Sequence, residues 1–203
     1  MFSLRAPLKT GVLTACAVAC LAVAAPAAAQ DPTFETFRDI CIAGDGDAAK
    51  AASVVEADGG WMTLDPAMFG SDAPFENLKA WMKPAGAGFN LVMTGDMSEP
   101  MDGMVGMEMN MTVCAVGAQP ADAAALEAEI KRFTGAQAPA PDMDTPEFRG
   151  YVVAIDGGRP VPVDPNITTE GLGARLMTGE LRILMVGEQG GVAMAMYMEP
   201  KAQ

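Results

Sequence analysis

Residues 107–114 read Met107-Glu108-Met109-Asn110-Met111-Thr112-Val113-Cys114, and this stretch decides the class of fold. Met107, Met109, Met111 and Val113 alternate with Glu108, Asn110 and Thr112, which is the period of a strand and not of a helix. Cys114 falls on the polar side of that alternation. An uninterrupted strand therefore turns Cys114 away from the methionines. Pairing it with Cys41 demands one of three arrangements: a bulge near Thr112 that resets the alternation, cover on both sheet faces, or a methionine face that is not the one against the helix bearing Cys41.

Working outward, Phe89, Leu91 and Met93 alternate with Asn90, Val92 and Thr94, and Tyr151, Val153 and Ile155 repeat the pattern before Asp156-Gly157-Gly158. Residues 180–186 and 192–198 read as two more strands around Gly187–Gly191, a hairpin with a longer loop. Helical signals flank these strands. Asp31-Pro32 supplies an N-cap with proline at the first helical position, and Phe34, Phe37 and Cys41 then share one helical face. Asp47 caps a second helix over about residues 48–57, which Asp58-Gly59-Gly60 ends. Pro120 opens a third helix to Thr134, with Leu126, Ile130 and Phe133 on one face, Lys131 and Arg132 in its last turn and Gly135 as its stop. Residues 136–146 (AQAPAPDMDTP) hold three prolines and no apolar period, and are expected to form an exposed linker. The order of elements predicts an α+β domain over residues 30–203. Its antiparallel sheet has about five or six strands, with the N-terminal helices and the mid-chain helix packed mainly on one face.

The N-terminus predicts export. Arg5 and Lys9 precede an apolar run over residues 11–25, and Ala27 and Ala29 form a small-x-small pattern ahead of Gln30 or Asp31, so residues 1–29 read as a cleaved signal peptide. The expected location is periplasmic or secreted, with no membrane span after cleavage. Cleavage also removes Cys16 and Cys20, which leaves one intramolecular connectivity, Cys41–Cys114, in a compartment where thiols pair.

Composition narrows the chemistry. The chain of 203 residues has 26 acidic and 13 basic side chains, a net charge of −13 and no histidine. Losing Arg5 and Lys9 with the signal shifts that charge to −15. A Ser-His-Asp or Cys-His nucleophile and a His-based zinc site are excluded outright. So acidic a surface, with no basic cluster beyond Lys131-Arg132, argues against nucleic acid as partner. No GxxxxGK[ST] phosphate loop occurs, and no GxGxxG joins a strand to a helix. Asp45, Asp47 and Glu56 match positions 1, 3 and 12 of a calcium loop. Ala49 and Lys50 occupy positions 5 and 6, where a ligand and a glycine are required, so helix capping accounts for Asp47 instead.

Methionine is the remaining excess, with 17 in the chain. Met97, Met101, Met104, Met107, Met109 and Met111 crowd into residues 97–111. This segment resembles the methionine-rich stretches of periplasmic copper-handling proteins, although it lacks the histidine such stretches usually add. The resemblance implies a copper(I) site of thioethers, with Met101, Met104 and Met107 as ligands. Two other readings compete with it: a core face where methionine fills irregular gaps, and an adaptable apolar contact surface for another protein. Met194, Met196 and Met198 repeat the alternation without any loop-like spacing, which favours packing. Taken together, the sequence predicts a non-catalytic exported protein without a cofactor, acting through contacts with another envelope protein. The alternative is copper(I) binding by residues 97–111.

Overall fold

The computed structural model describes residues 31–70, 75–100, 108–140, 143–164 and 166–201. The signal peptide read over residues 1–29 and the copper ligands Met101, Met104 and Met107 lie outside the described residues.

Eight antiparallel strands form one sheet in the order β1-β2-β3-β4-β8-β7-β5-β6. They are β1 (Met62–Leu64), β2 (Phe75–Ala85), β3 (Gly88–Pro100), β4 (Glu108–Gln119), β5 (Phe148–Asp156), β6 (Arg159–Pro162), β7 (Leu181–Gln189) and β8 (Val192–Pro200). The sheet is thus wider than the five or six strands expected. The extra strands are short edge segments without clean alternation (β1 and β6), together with β2, whose register shifts between Glu76 and Lys79 opposite Asp96 and Thr94. The β7–β8 hairpin also corrects the sequence reading. Its strands run on to Gln189 and from Val192, leaving a two-residue turn in which Gly190 and Gly191 both have positive φ, 61° and 78°. Only glycine takes that pair of conformations readily, and it matches the twist of the flanking strands.

Among the described residues, four α-helices cover the sheet. α1 (Pro32–Phe37) continues through a π turn at Arg38–Ile42, and is followed by α2 (Ala48–Asp58) and α3 (Ala123–Thr134). Asp31, Asp47 and Asp122 cap their N-termini, each carboxylate accepting from backbone N–H groups of the first turn. These three helices share one face. Phe34, Phe37, Val55, Leu126 and Ile130 pack there against Trp81, Val92, Val116, Tyr151, Leu184 and Tyr197. α4 (Thr169–Met177) was not foreseen, because its Gly171 and Gly173 weaken the helical signal. It lies on the opposite face, where Leu172 and Leu176 join Val152, Leu181 and Ile183. The helices are therefore not confined to one side.

This two-faced cover resolves the position of Cys114. β3 and β4 pair without a break from Phe89↔Gln119 to Pro100↔Glu108, so no bulge interrupts β4. Cys114 points to the three-helix face and bonds to Cys41, with Cα atoms 5.4 Å apart. Met109, Met111 and Val113 point to the other face.

Two polar clusters tie the helical side to the sheet. Glu127 of α3 accepts hydrogen bonds from the Tyr151 hydroxyl (2.7 Å) and from Arg149, and pairs with Lys131 (2.7 Å). Arg182 of β7 forms a fork–fork pair with Asp45, whose two carboxylate oxygens lie 3.0 Å from Nε and Nη2. Its Nη2 also reaches Glu199 at 2.9 Å, and Nη1 donates to the carbonyls of Gly179 and Leu181.

Candidate functional site

The face opposite the three helices carries a pattern that neither strand shows alone. Reading across the sheet, register aligns Met93, Ala115, Met196, Met185 and Gly150 in one row. The next row holds Leu91, Gly117, Met194, Gly187 and Phe148. Long, unbranched methionines thus stand beside glycine and alanine, which contribute almost no side-chain volume. A surface built this way cannot fill itself evenly, and space is left between the methionines.

That space is a cavity of about 770 Å³. Nine methionines line it: Met93 and Met97 from β3, Met109 and Met111 from β4, Met185 from β7, Met194, Met196 and Met198 from β8, and Met143 from the segment before β5. Phe69, Phe75 and Leu78 close one side, and Phe148, Ile183 and Val192 contribute elsewhere to the wall. Among the described residues, polar lining is limited to Thr145 and Gln189, and no charged side chain lines the wall. Met93, Met109, Met111, Met196 and Met198 are buried, whereas Met97, Met143, Met185 and Met194 are half-buried, so this is a recess open to solvent on one side and not a flat apolar patch. Close-packed protein interiors rarely leave voids much larger than a water molecule. Cavities of roughly 300–1,000 Å³ are instead characteristic of small-molecule sites.

One wall depends on close backbone approach. The segment before β5 folds back onto the sheet: the Ala140 N–H donates to the Gly150 carbonyl (2.8 Å), and the Gly150 N–H donates to that of Met143 (2.7 Å). A Cβ added at Gly187 would stand 1.9 Å from the Glu147 carbonyl oxygen, so a side chain there would push this wall away. Residues 136–146 accordingly do more than link α3 to β5. Ala140 and Met143 are half-buried and pack on the methionine face.

The structure brings together part of the segment singled out in the sequence. Met97 and Met111 are direct cross-strand partners, and Met109 lies on the same wall. Cys41 and Cys114 are disulfide-bonded on the opposite side of the sheet, away from the cavity. Sequence reading missed Met143, Met185 and the contributions of Phe69 and Phe75. The signal available for Met185 was its place two residues from Ile183 in an alternating run. Among the described residues, no group of three or more His, Cys, Asp or Glu side chains is arranged to hold a metal ion. A cluster of thioethers is a different donor set. No described helix is long and apolar enough to cross a membrane.

No protein-family model matches this chain, and no curated protein or solved structure shows significant similarity to it.

Proposed function

We propose that this chain is an exported, non-catalytic binding protein, acting in the cell envelope or outside the cell, that holds an apolar guest in its methionine-lined cavity. The single observation that carries this reading is the cavity of about 770 Å³ walled by nine methionines, with no charged lining residue among those described. Methionine is unbranched and polarisable, so one wall adapts to guests of different outline. Contact with another protein was the expectation from sequence. The cavity moves the reading toward a small guest, because stable protein interfaces bury upwards of roughly 1,000 Å², whereas here five of the nine methionines are already buried and the rest half-buried.

Titration of the purified protein with the neutral fluorescent dye Nile red tests the proposal. Saturable binding near one dye per chain is expected, and Met194→Trp, which projects bulk into the cavity, is expected to weaken it about tenfold or more. Absence of saturable binding overturns the reading. Turnover in a broad hydrolase screen would overturn its non-catalytic part.

A second reading has an observation of its own. Met97, Met109 and Met111, all within the segment that suggested copper(I), line one cavity with six further methionines, and soft thioethers select soft ions. Titration with copper(I) against a competing chelator tests it. A Met97→Leu/Met111→Leu variant and a Met101→Leu/Met104→Leu/Met107→Leu variant are each expected to bind at least about tenfold more weakly. Undiminished binding by both disposes of the copper reading.

A further inference from the structure

The distribution of polarity in the cavity says more about the guest than its volume does. Among the described residues, the wall is apolar except at Thr145 and Gln189. The Thr145 hydroxyl donates to the Phe148 carbonyl and accepts from the Phe148 N–H, both at 3.0 Å, leaving it one free lone pair. Gln189 is exposed where β7 meets its turn, and its side-chain amide makes no hydrogen bond to another described residue. Its two donors and one carbonyl are available to a ligand.

Charge sets a further limit. The chain carries a net −13, and no Lys or Arg among the described residues lines the cavity. The cation closest in sequence to the polar wall, Arg149, is already paired with Glu127 and Asp144. Thr145 and Gln189 are both exposed, so a head held there keeps part of its hydration. A carboxylate or phosphate head would nevertheless gain no counter-charge, and would meet the repulsion of a strongly acidic chain. A neutral head that donates and accepts hydrogen bonds meets no such cost.

We propose that the cavity binds an uncharged, single-chain amphiphile, with its alkyl tail among the methionines and its hydroxyl-bearing head at Thr145 and Gln189. This rests on the reading of the cavity as a binding site and adds the chemical class of the guest. Monoacylglycerols and long-chain alcohols share that chemistry.

The test is displacement of bound Nile red, below micelle-forming concentrations, by three competitors: 1-monolauroylglycerol, dodecanol and laurate at pH 8. The first two are expected to displace the dye at concentrations at least about tenfold lower than laurate, which has the same chain length but a charged head. Gln189→Lys, an exposed change at a strand end, supplies the missing cation and is expected to reverse the preference in favour of laurate. Laurate competing as well as the neutral amphiphiles in the wild type would overturn the inference, as would an unchanged preference in Gln189→Lys. If Nile red binds but only an apolar peptide displaces it, the amphiphile inference fails while the binding-site reading stands. If Nile red itself does not bind, both fail.

Discussion

Replacing both bridging cysteines, Cys41→Ala/Cys114→Ala, is expected to lower stability by about 4 kcal/mol, the amount that chain entropy assigns to closing a loop of this length. The two residues are 73 positions apart, so the bridge removes a large set of open conformations from the unfolded chain. Both are fully buried, and each sits among side chains that remain after the substitution, Phe34, Phe37, Val92 and Val116 among them. α1 therefore keeps an apolar anchor on the sheet, and the variant is expected to fold. Urea unfolding followed by fluorescence of buried Trp81 is the measurement. The midpoint should fall, and the dependence on urea should steepen, because an unfolded chain without the cross-link exposes more surface. A reductant should move the wild type toward the variant and leave the variant where it is. An unchanged midpoint would show that the bridge does not constrain the unfolded state.

The same cysteine pair shows which parts of the fold the sequence made legible. Helix starts could be read at Asp31 and Asp47, because capping is local: one carboxylate satisfies N–H groups two or three residues away. The third helix, expected to open at Pro120, starts instead at Ala123 behind the Asp122 cap. The inner strands were readable wherever the apolar period of two was unbroken, as at Met109, Met111 and Val113. The bridge itself follows from having only one pair to make once the N-terminal cysteines are set aside. What could not be read is what depends on neighbours across the sheet. Edge strands β1 and β6 bury little and so carry no alternation. α4 has two glycines in nine residues, and its amphipathic face matters only because Leu181 and Ile183 lie beneath it. The cavity is the clearest case. Met194 looks like any core methionine along β8, and only the register, which sets Gly117 on one side and Gly187 on the other, reveals the space beside it. Likewise, the methionine-dense segment 97–111 suggested a site in its own loop, whereas its described methionines share a wall with residues from β7, β8 and the segment before β5.

Arg182→Ala is the other substitution with a large expected cost, about 2 kcal/mol. A buried guanidinium is lost while its carboxylate partners are partly exposed, which lowers the cost below that of a fully buried pair. Arg182 is only 8% exposed although it carries a full charge. Its guanidinium joins pieces of chain that are distant in sequence: Asp45 in the turn before α2, Glu199 near the end of β8, and the carbonyls of Gly179 and Leu181. Truncation leaves those carbonyls without their donor and sets two carboxylates together without a cation. The Tyr197 hydroxyl, which also donates to Asp45, cannot supply the missing charge. Acidity supplies a second signature. The Arg182 hydrogen bonds hold Asp45 below the ordinary aspartate range in spite of its partial burial, whereas burial pushes Glu199 up even though Arg182 opposes it. Because the folded pKa of Asp45 is depressed, its contribution is present above the unfolded pKa and lost as pH falls through the folded value. Glu199 has a raised folded pKa, so it takes up a proton first on acidification and gives up its attraction to Arg182 earlier. The stability difference between wild type and Arg182→Ala should therefore be greatest near neutrality, begin to shrink on acidification as Glu199 takes up its proton, and fall further as Asp45 is protonated. Denaturant unfolding of both proteins across that range measures it. A difference that stays constant with pH would mean that Arg182 acts through the packing of its stem and not through its charge. In a double-mutant cycle, Asp45→Ala combined with Arg182→Ala should cost less than the sum of the two, by about 1–2 kcal/mol, because the second substitution removes a partner that the first has already orphaned.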